Sequence, residues 1–172
     1  MKKILRKIFS GFILLLYPQL KDKAIVNRHL FIYVFSQKIL GIERHAPWPV
    51  HFTSKVICPE NIVNGCAETP GYSIGSYIDA RNGIELGQKV YFGPRVSLIS
   101  MNHQEDDFEK YTYSEPIKIG DNCWLATGCI VLAGVVLGAH TIVAAGAVVT
   151  KSFPEGNQLL AGNPARIIRK IN

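Results

Sequence analysis

The chain has 172 residues, 48% hydrophobic and 19% charged, a composition that supports one buried core and excludes a disordered chain. Its formal charge is +6, but Lys2, Lys3, Arg6 and Lys7 cluster at the start and no basic stripe interleaved with aromatics follows, so a nucleic-acid partner is not indicated. The cysteines (Cys58, Cys66, Cys123 and Cys129) lack C-x-x-C spacing, and no Cys/His cluster has zinc-ligand spacing, so no metal is expected; Cys123 and Cys129 suit small apolar core positions, and a reducing, cytoplasmic compartment is the expectation.

In chain order, residues 1–44 read as an N-terminal helical segment. Four cations followed by "IFSGFILLLY" imitate a secretory signal, but no small-residue cleavage site follows and the run is too short to span a bilayer. On a helix Ile4/Leu5, Ile8/Phe9, Phe12/Ile13 and Leu15/Leu16 share one face, with the cations mostly opposite. Such a face either packs on the protein or a neighbouring subunit, or gives residues 1–20 a peripheral contact with an anionic membrane. A second helix is expected from Asp22 to about Leu40, with Gly41 as its stop. "HAPWPVHFTSKVICPENI" then reads as an extended connection.

From about Val56 the pattern becomes a six-residue repeat. Ile119, Leu125, Val131, Leu137, Val143 and Val149 fall six apart, and four residues after each come Cys123, Cys129, Val135, Thr141, Ala147 and Phe153. A period of six matches neither a helix nor long alternating strands. It matches a solenoid in which each hexad makes one short strand and one turn, and three hexads close a coil that rises by one strand spacing, about 4.8 Å. Leu86, Phe92 and Leu98 make another coil. "YSIGSYIDARNGIE" is repeat-like but irregular, with an extra-residue bulge expected near Asn82-Gly83.

"IGDNCWLATGCIVLAGVVLGAHTIVAAGAVVTK" followed by "AGNPARIIRKI" resembles the hexapeptide-repeat acyltransferases, over roughly residues 56–171. The layout is most similar to the sugar O-acetyltransferases of polysaccharide and colanic acid biosynthesis. The resemblance implies a mainly β fold, a left-handed parallel β-helix with N-terminal helices, in a domain spanning 45–171. It also implies a homotrimer with active sites between subunits, and acetyl-CoA as acyl donor. A short C-terminal helix over about 164–171 is expected from Asn163-Pro164, a good cap and first-turn pair.

The repeat is interrupted once, at residues 104–116, directly after Asn102-His103. An insertion of that length in a compact domain is usually functional or disordered, and this one carries Phe108, Tyr111, Tyr113 and Pro116. Moving an acyl group from a thioester to a hydroxyl requires removal of the nucleophile's proton, for which neutral imidazole is suited near pH 7. The resemblance implies that His103 is this general base. No activated Ser or Cys nucleophile accompanies it, so direct transfer is the simpler route. The resemblance implies Asn82, with Asn102, as candidates for the acceptor side, although a bulge asparagine is an equal reading of Asn82. On the donor side the resemblance places Trp124 near the thioester and the pantetheine arm beside Ala126, Thr127, Ala144, Ala145 and Gly146. Thr150 ends the repeats beside Lys151, and Lys151, Arg166 and Arg169 are candidates for the coenzyme A phosphates.

The expected activity is O-acetylation of a hydroxyl on a sugar or glycoconjugate intermediate. Serine, amino-sugar or antibiotic acceptors are alternatives, as is a non-catalytic assembly scaffold. A zinc hydro-lyase on the same solenoid, as in the γ-class carbonic anhydrases, would need three histidine ligands, and the repeats contain only His103 and His140.

Overall fold

The computed structural model describes Leu15, residues 30–65 and residues 69–171. The expected amphipathic segment 1–20 (Leu15 apart), the first half of the second helix, and Cys66 lie outside the described residues. The described part of that helix comprises α1 (Leu30–Val34) and a π-helical turn, Phe35–Ile39. It ends at the expected place, with Gly41 at φ 75°.

Among the described residues, fourteen short strands then build the solenoid and a projection from it: β1 (Lys55–Ile57), β2 (Ile62–Asn64), β3 (Tyr77–Asp79), β4 (Ile84–Leu86), β5 (Tyr91–Phe92), β6 (Ser97–Ile99), β7 (Asn102–His103), β8 (Tyr111–Thr112), β9 (Ile117–Ile119), β10 (Trp124–Leu125), β11 (Ile130–Leu132), β12 (Val136–Leu137), β13 (Thr141–Val143) and β14 (Val148–Val149). A hairpin of β15 (Gln158–Gly162) and β16 (Ala165–Lys170) follows. The chain visits three parallel sheets in rotation. Face one is β1-β3-β6-β11-β14, face two is β2-β4-β9-β12, and face three is β5-β10-β13-β15, with β16 antiparallel on its edge. Val131 pairs with Val149, and Leu125 with Val143, each eighteen residues on. Three hexads therefore make one coil.

The repeat explains the core. Each sixth residue from Ile119 to Val149 points inward and is at most 2% exposed. The residues four positions later, from Cys123 to Phe153, are buried as well. On faces two and three the hexad slot after the aliphatic (Gly87, Gly93, Gly120, Ala126, Gly138 and Ala144) is Gly or Ala because the next coil's backbone stacks against it. A Cβ on Gly93 would come within 2.6 Å of the Thr127 amide nitrogen, and one on Gly138 would run into the Pro154 carbonyl oxygen.

The corner between faces one and two departs from this rhythm. Core residues on these faces are normally six apart, yet Ile78 and Leu86 are eight apart, and the two additional residues fall near Asn82-Gly83, where an irregularity is expected. In the following coil Leu98 and Ile119 are separated by fifteen residues more than the repeat requires. Most of that excess is the 104–116 insertion.

The expected C-terminal helix is not formed. Residues 165–170 are β16, paired with β15, and Asn163–Pro164 lies in the turn between them, after Gly162 at φ 99°. The free edge of β15 offers a full ladder of hydrogen bonds, whereas a helix of six residues is marginal by itself. The β-branched pair Ile167–Ile168 favours the extended state.

Candidate active site

The chain leaves the solenoid after β6 and returns at β9, and the two sides of the insertion pair as a small antiparallel hairpin. Asn102 faces Thr112 and His103 faces Tyr111. Ser114 donates its hydroxyl to the Ser100 carbonyl at 2.9 Å. Asn82 closes the root from the coil before: its side-chain amide donates to the carbonyls of Ser100 (2.9 Å) and Thr112 (3.2 Å) and to Ser114 Oγ (3.1 Å). Its backbone N–H donates to Ser100 Oγ at 2.9 Å. With the amide nitrogen committed to the loop, the part of Asn82 suited to a ligand is its side-chain oxygen.

Within the loop Gln104 donates its N–H to the Lys110 carbonyl and Lys110 donates to that of Asp107. The Lys110 ammonium lies 2.8 Å from Asp107 Oδ2 and the Glu109 N–H donates to Oδ1 at 3.1 Å, and these two contacts hold the Asp107 carboxyl below the usual range. His103 is exposed, and its Nδ1 lies 2.5 Å from the Phe108 carbonyl oxygen. A carbonyl only accepts, so Nδ1 carries the proton and the neutral ring has its lone pair on Nε2. The ring packs on Tyr111, with centroids 4.6 Å apart and planes inclined by 39°. Arg81 sits on Tyr111, its Cζ 4.6 Å from the ring centroid. Its guanidinium is in turn bonded to Asp79, and that bond, with the contact to Tyr111, raises the Arg81 pKa above the usual range against the opposing effect of burial.

The other expected site residues fall elsewhere. Trp124 stands on the outer side of face three, half exposed, between Tyr91 and Ile142 in register. Ala126, Thr127, Ala144, Ala145 and Gly146 stack at the corner between faces three and one, where the Gly146 N–H donates to the Thr127 carbonyl at 3.0 Å. At Ala126 and Ala144 the coil stacking described above already demands a small residue. Ala145 and Gly146, by contrast, are exposed, and a Cβ on Gly146 would meet nothing within 4 Å, which leaves an open surface suited to an extended ligand arm. Thr150 and Lys151 are exposed at the same corner as His103, with the Lys151 ammonium 5.7 Å over the Phe153 ring. Arg166 and Arg169 are exposed on β16. His140 lies at the corner between faces two and three, bonded to Asn157.

One chain thus carries the imidazole at one edge of face one and the small-residue column at the other. At about 3.3 Å per residue, a six-residue side separates these edges by about 20 Å. Asp79, Arg81 and Tyr111 escaped the sequence reading of the site. A register would have revealed the first, because Asp79 stands in a column whose other members are Ile57, Ile99 and Leu132.

Comparison with known proteins is consistent with this geometry. Residues 116–151 match the family model described as bacterial transferase hexapeptide (six repeats). The galactoside O-acetyltransferase of Lactococcus lactis is 38% identical over 92 residues, covering 52% of this chain and 44% of that protein. The Escherichia coli galactoside O-acetyltransferase is 36% identical over 92 residues, 52% of this chain and 45% of that protein. A solved galactoside acetyltransferase in complex with coenzyme A superposes with a TM-score of 0.59 at 30% identity, covering 70% of this chain and 63% of that one. The chain therefore spans about half the length of the curated relatives it matches. Residues 116–151 thus carry the repeat described for bacterial hexapeptide transferases, and the chain around them is similar to galactoside O-acetyltransferases. The solenoid is a left-handed parallel β-helix, the fold it shares with that solved structure.

Proposed function

We propose that the protein is an acetyl-CoA-dependent O-acetyltransferase acting on a hydroxyl of a sugar or glycoconjugate, with His103 as general base. The observation that carries this reading is His103 itself, fixed at the root of the solenoid's one long interruption with Nδ1 bonded to a backbone carbonyl and Nε2 left to accept. Nε2 takes the proton of the acceptor hydroxyl as its oxygen attacks the thioester carbonyl. The carbon–sulfur bond breaks as the tetrahedral intermediate collapses, and the departing sulfur takes the proton back from the imidazolium. Asn82, through its side-chain oxygen, and Asn102 would orient the acceptor.

Acetyl-CoA fits the open strip at Ala145 and Gly146, next to Ala126, Thr127 and Ala144, with Trp124 beside the thioester. Thr150, Lys151, Arg166 and Arg169 would meet its polar and phosphate end. Because this strip and His103 lie on opposite edges of face one, the reading requires a second copy to complete each site, and a homotrimer supplies one at every interface. Residues 45–171 form the catalytic domain in this reading, and residues 1–44 an appendage to it. Among the described residues no helix is long and apolar enough to cross a membrane. A cytoplasmic enzyme whose basic residues 1–20 touch the bilayer would suit a lipid-borne acceptor. Loss of liposome co-sedimentation on deleting residues 1–20 is the expected result.

The test is sugar-stimulated release of coenzyme A by wild type and His103→Ala. Loss of a general base lowers kcat by roughly 10²–10⁴, while acetyl-CoA binding by calorimetry is retained. A His103→Ala protein that keeps its full rate contradicts the assignment.

A further inference from the structure

The reading of His103 as base leaves open what aims the imidazole, and this inference rests on that reading. We propose that Asp79, Arg81 and Tyr111 are positioning residues that fix the His103 ring from the preceding coil. Asp79 ends β3 and is 1% exposed. Arg81 grips it with Nη2 at 2.7 Å from Oδ2 and Nε at 3.0 and 3.2 Å from the two oxygens, while the Arg81 backbone N–H donates to Oδ1 at 3.2 Å. A fork held this way has one orientation. It lays the cation on the face of Tyr111, and Tyr111 lies against the imidazole.

Two features separate this arrangement from ordinary packing. First, a buried carboxylate costs desolvation that an aliphatic residue avoids, and Asp79, buried under a half-buried Arg81, occupies a column where Ile57, Ile99 and Leu132 serve the solenoid without charge. Second, β7 and β8 have two residues each, and a lone hairpin of that size does not hold its side chains rigid in water. The Phe108 carbonyl fixes one ring nitrogen, but the ring can still pivot about that bond. Contact with Tyr111, clamped from the coil by Arg81, restrains that pivot.

The experiment compares kcat and KM for the double variant Asp79→Leu/Arg81→Met, which leaves no unpaired buried charge, for Tyr111→Leu, and for Tyr111→Phe, which keeps the ring. Each is also made in the His103→Ala background, with thermal unfolding as the folding control. Misplacement of a catalytic group by about 1 Å costs on the order of 10²-fold. The first two variants are expected to lose kcat on that scale with the KM for acetyl-CoA and the Tm little changed, Tyr111→Phe to retain most of kcat, and none to lower the residual rate once His103 is gone. Full kcat in the double variant overturns the proposal, as does a loss of equal factor in the His103→Ala background. A His103→Ala enzyme as fast as wild type removes the proposal together with the base assignment, a pattern distinct from either.

Discussion

Burial sets the chemistry of individual residues differently in the core and at the loop. Cys129 is fully buried, and desolvation of its thiolate pushes its pKa up to about 12; burial raises Cys123 as well. The folded chain thus holds the Cys129 proton more tightly than the unfolded chain, whose thiol titrates near about 8.5. The stability this contributes is complete below about pH 8.5 and is lost as pH rises toward 12. Native protein at pH 8 should leave Cys123 and Cys129 unmodified by a thiol reagent, and denaturant should expose both. Rapid labelling of either in the folded protein would contradict their place in the core. These positions were legible in the sequence because a hexad slot dictates size and polarity locally. The contact of Arg81 with Tyr111 was not, since thirty residues separate the two and only the coil register and the hairpin bring them together.

For the strands, stacking is the controlling interaction. Leu125 is fully buried between Phe92 and Val143 in adjacent coils, and Leu125→Ala should cost about 2–5 kcal/mol in denaturant unfolding. Gly138→Ala adds only one methyl group, but that carbon meets backbone of the next coil, including the Pro154 carbonyl and the Gly156 nitrogen. A loss of about 1–3 kcal/mol is expected, the range for overpacking. An unchanged midpoint for Gly138→Ala would show that the coils can part without penalty. Strands of the solenoid were readable because each hexad repeats the same requirement. The last element was not: "ARIIRK" satisfies a short helix or a strand equally, and the choice falls to the unpaired edge of β15, which no local pattern announces.

At the scale of the molecule, the three-sided solenoid spreads the parts of the candidate site over its corners. One corner carries the insertion, His103 and Lys151; another carries the open strip at Ala145 and Gly146; the half-exposed Trp124 stands on the face between the second and third corners. The repeat itself, and the place where it breaks, were visible in the sequence, so the fold and the candidate base could be read there. Which corners face each other cannot be read from one chain's repeat, because it is a property of the assembly. The most direct measurement is complementation between two defective chains. His103→Ala and Ala145→Trp, the latter filling the donor strip at an exposed position, are produced singly and together with different tags, and doubly tagged oligomers are assayed for transfer of acetyl from acetyl-CoA to a sugar. Each variant alone should be inactive, and mixed oligomers should recover a substantial fraction of wild-type activity, since some interfaces then pair an intact His103 with an intact strip. Mixed oligomers that form and remain as inactive as their parents would contradict a site shared between subunits.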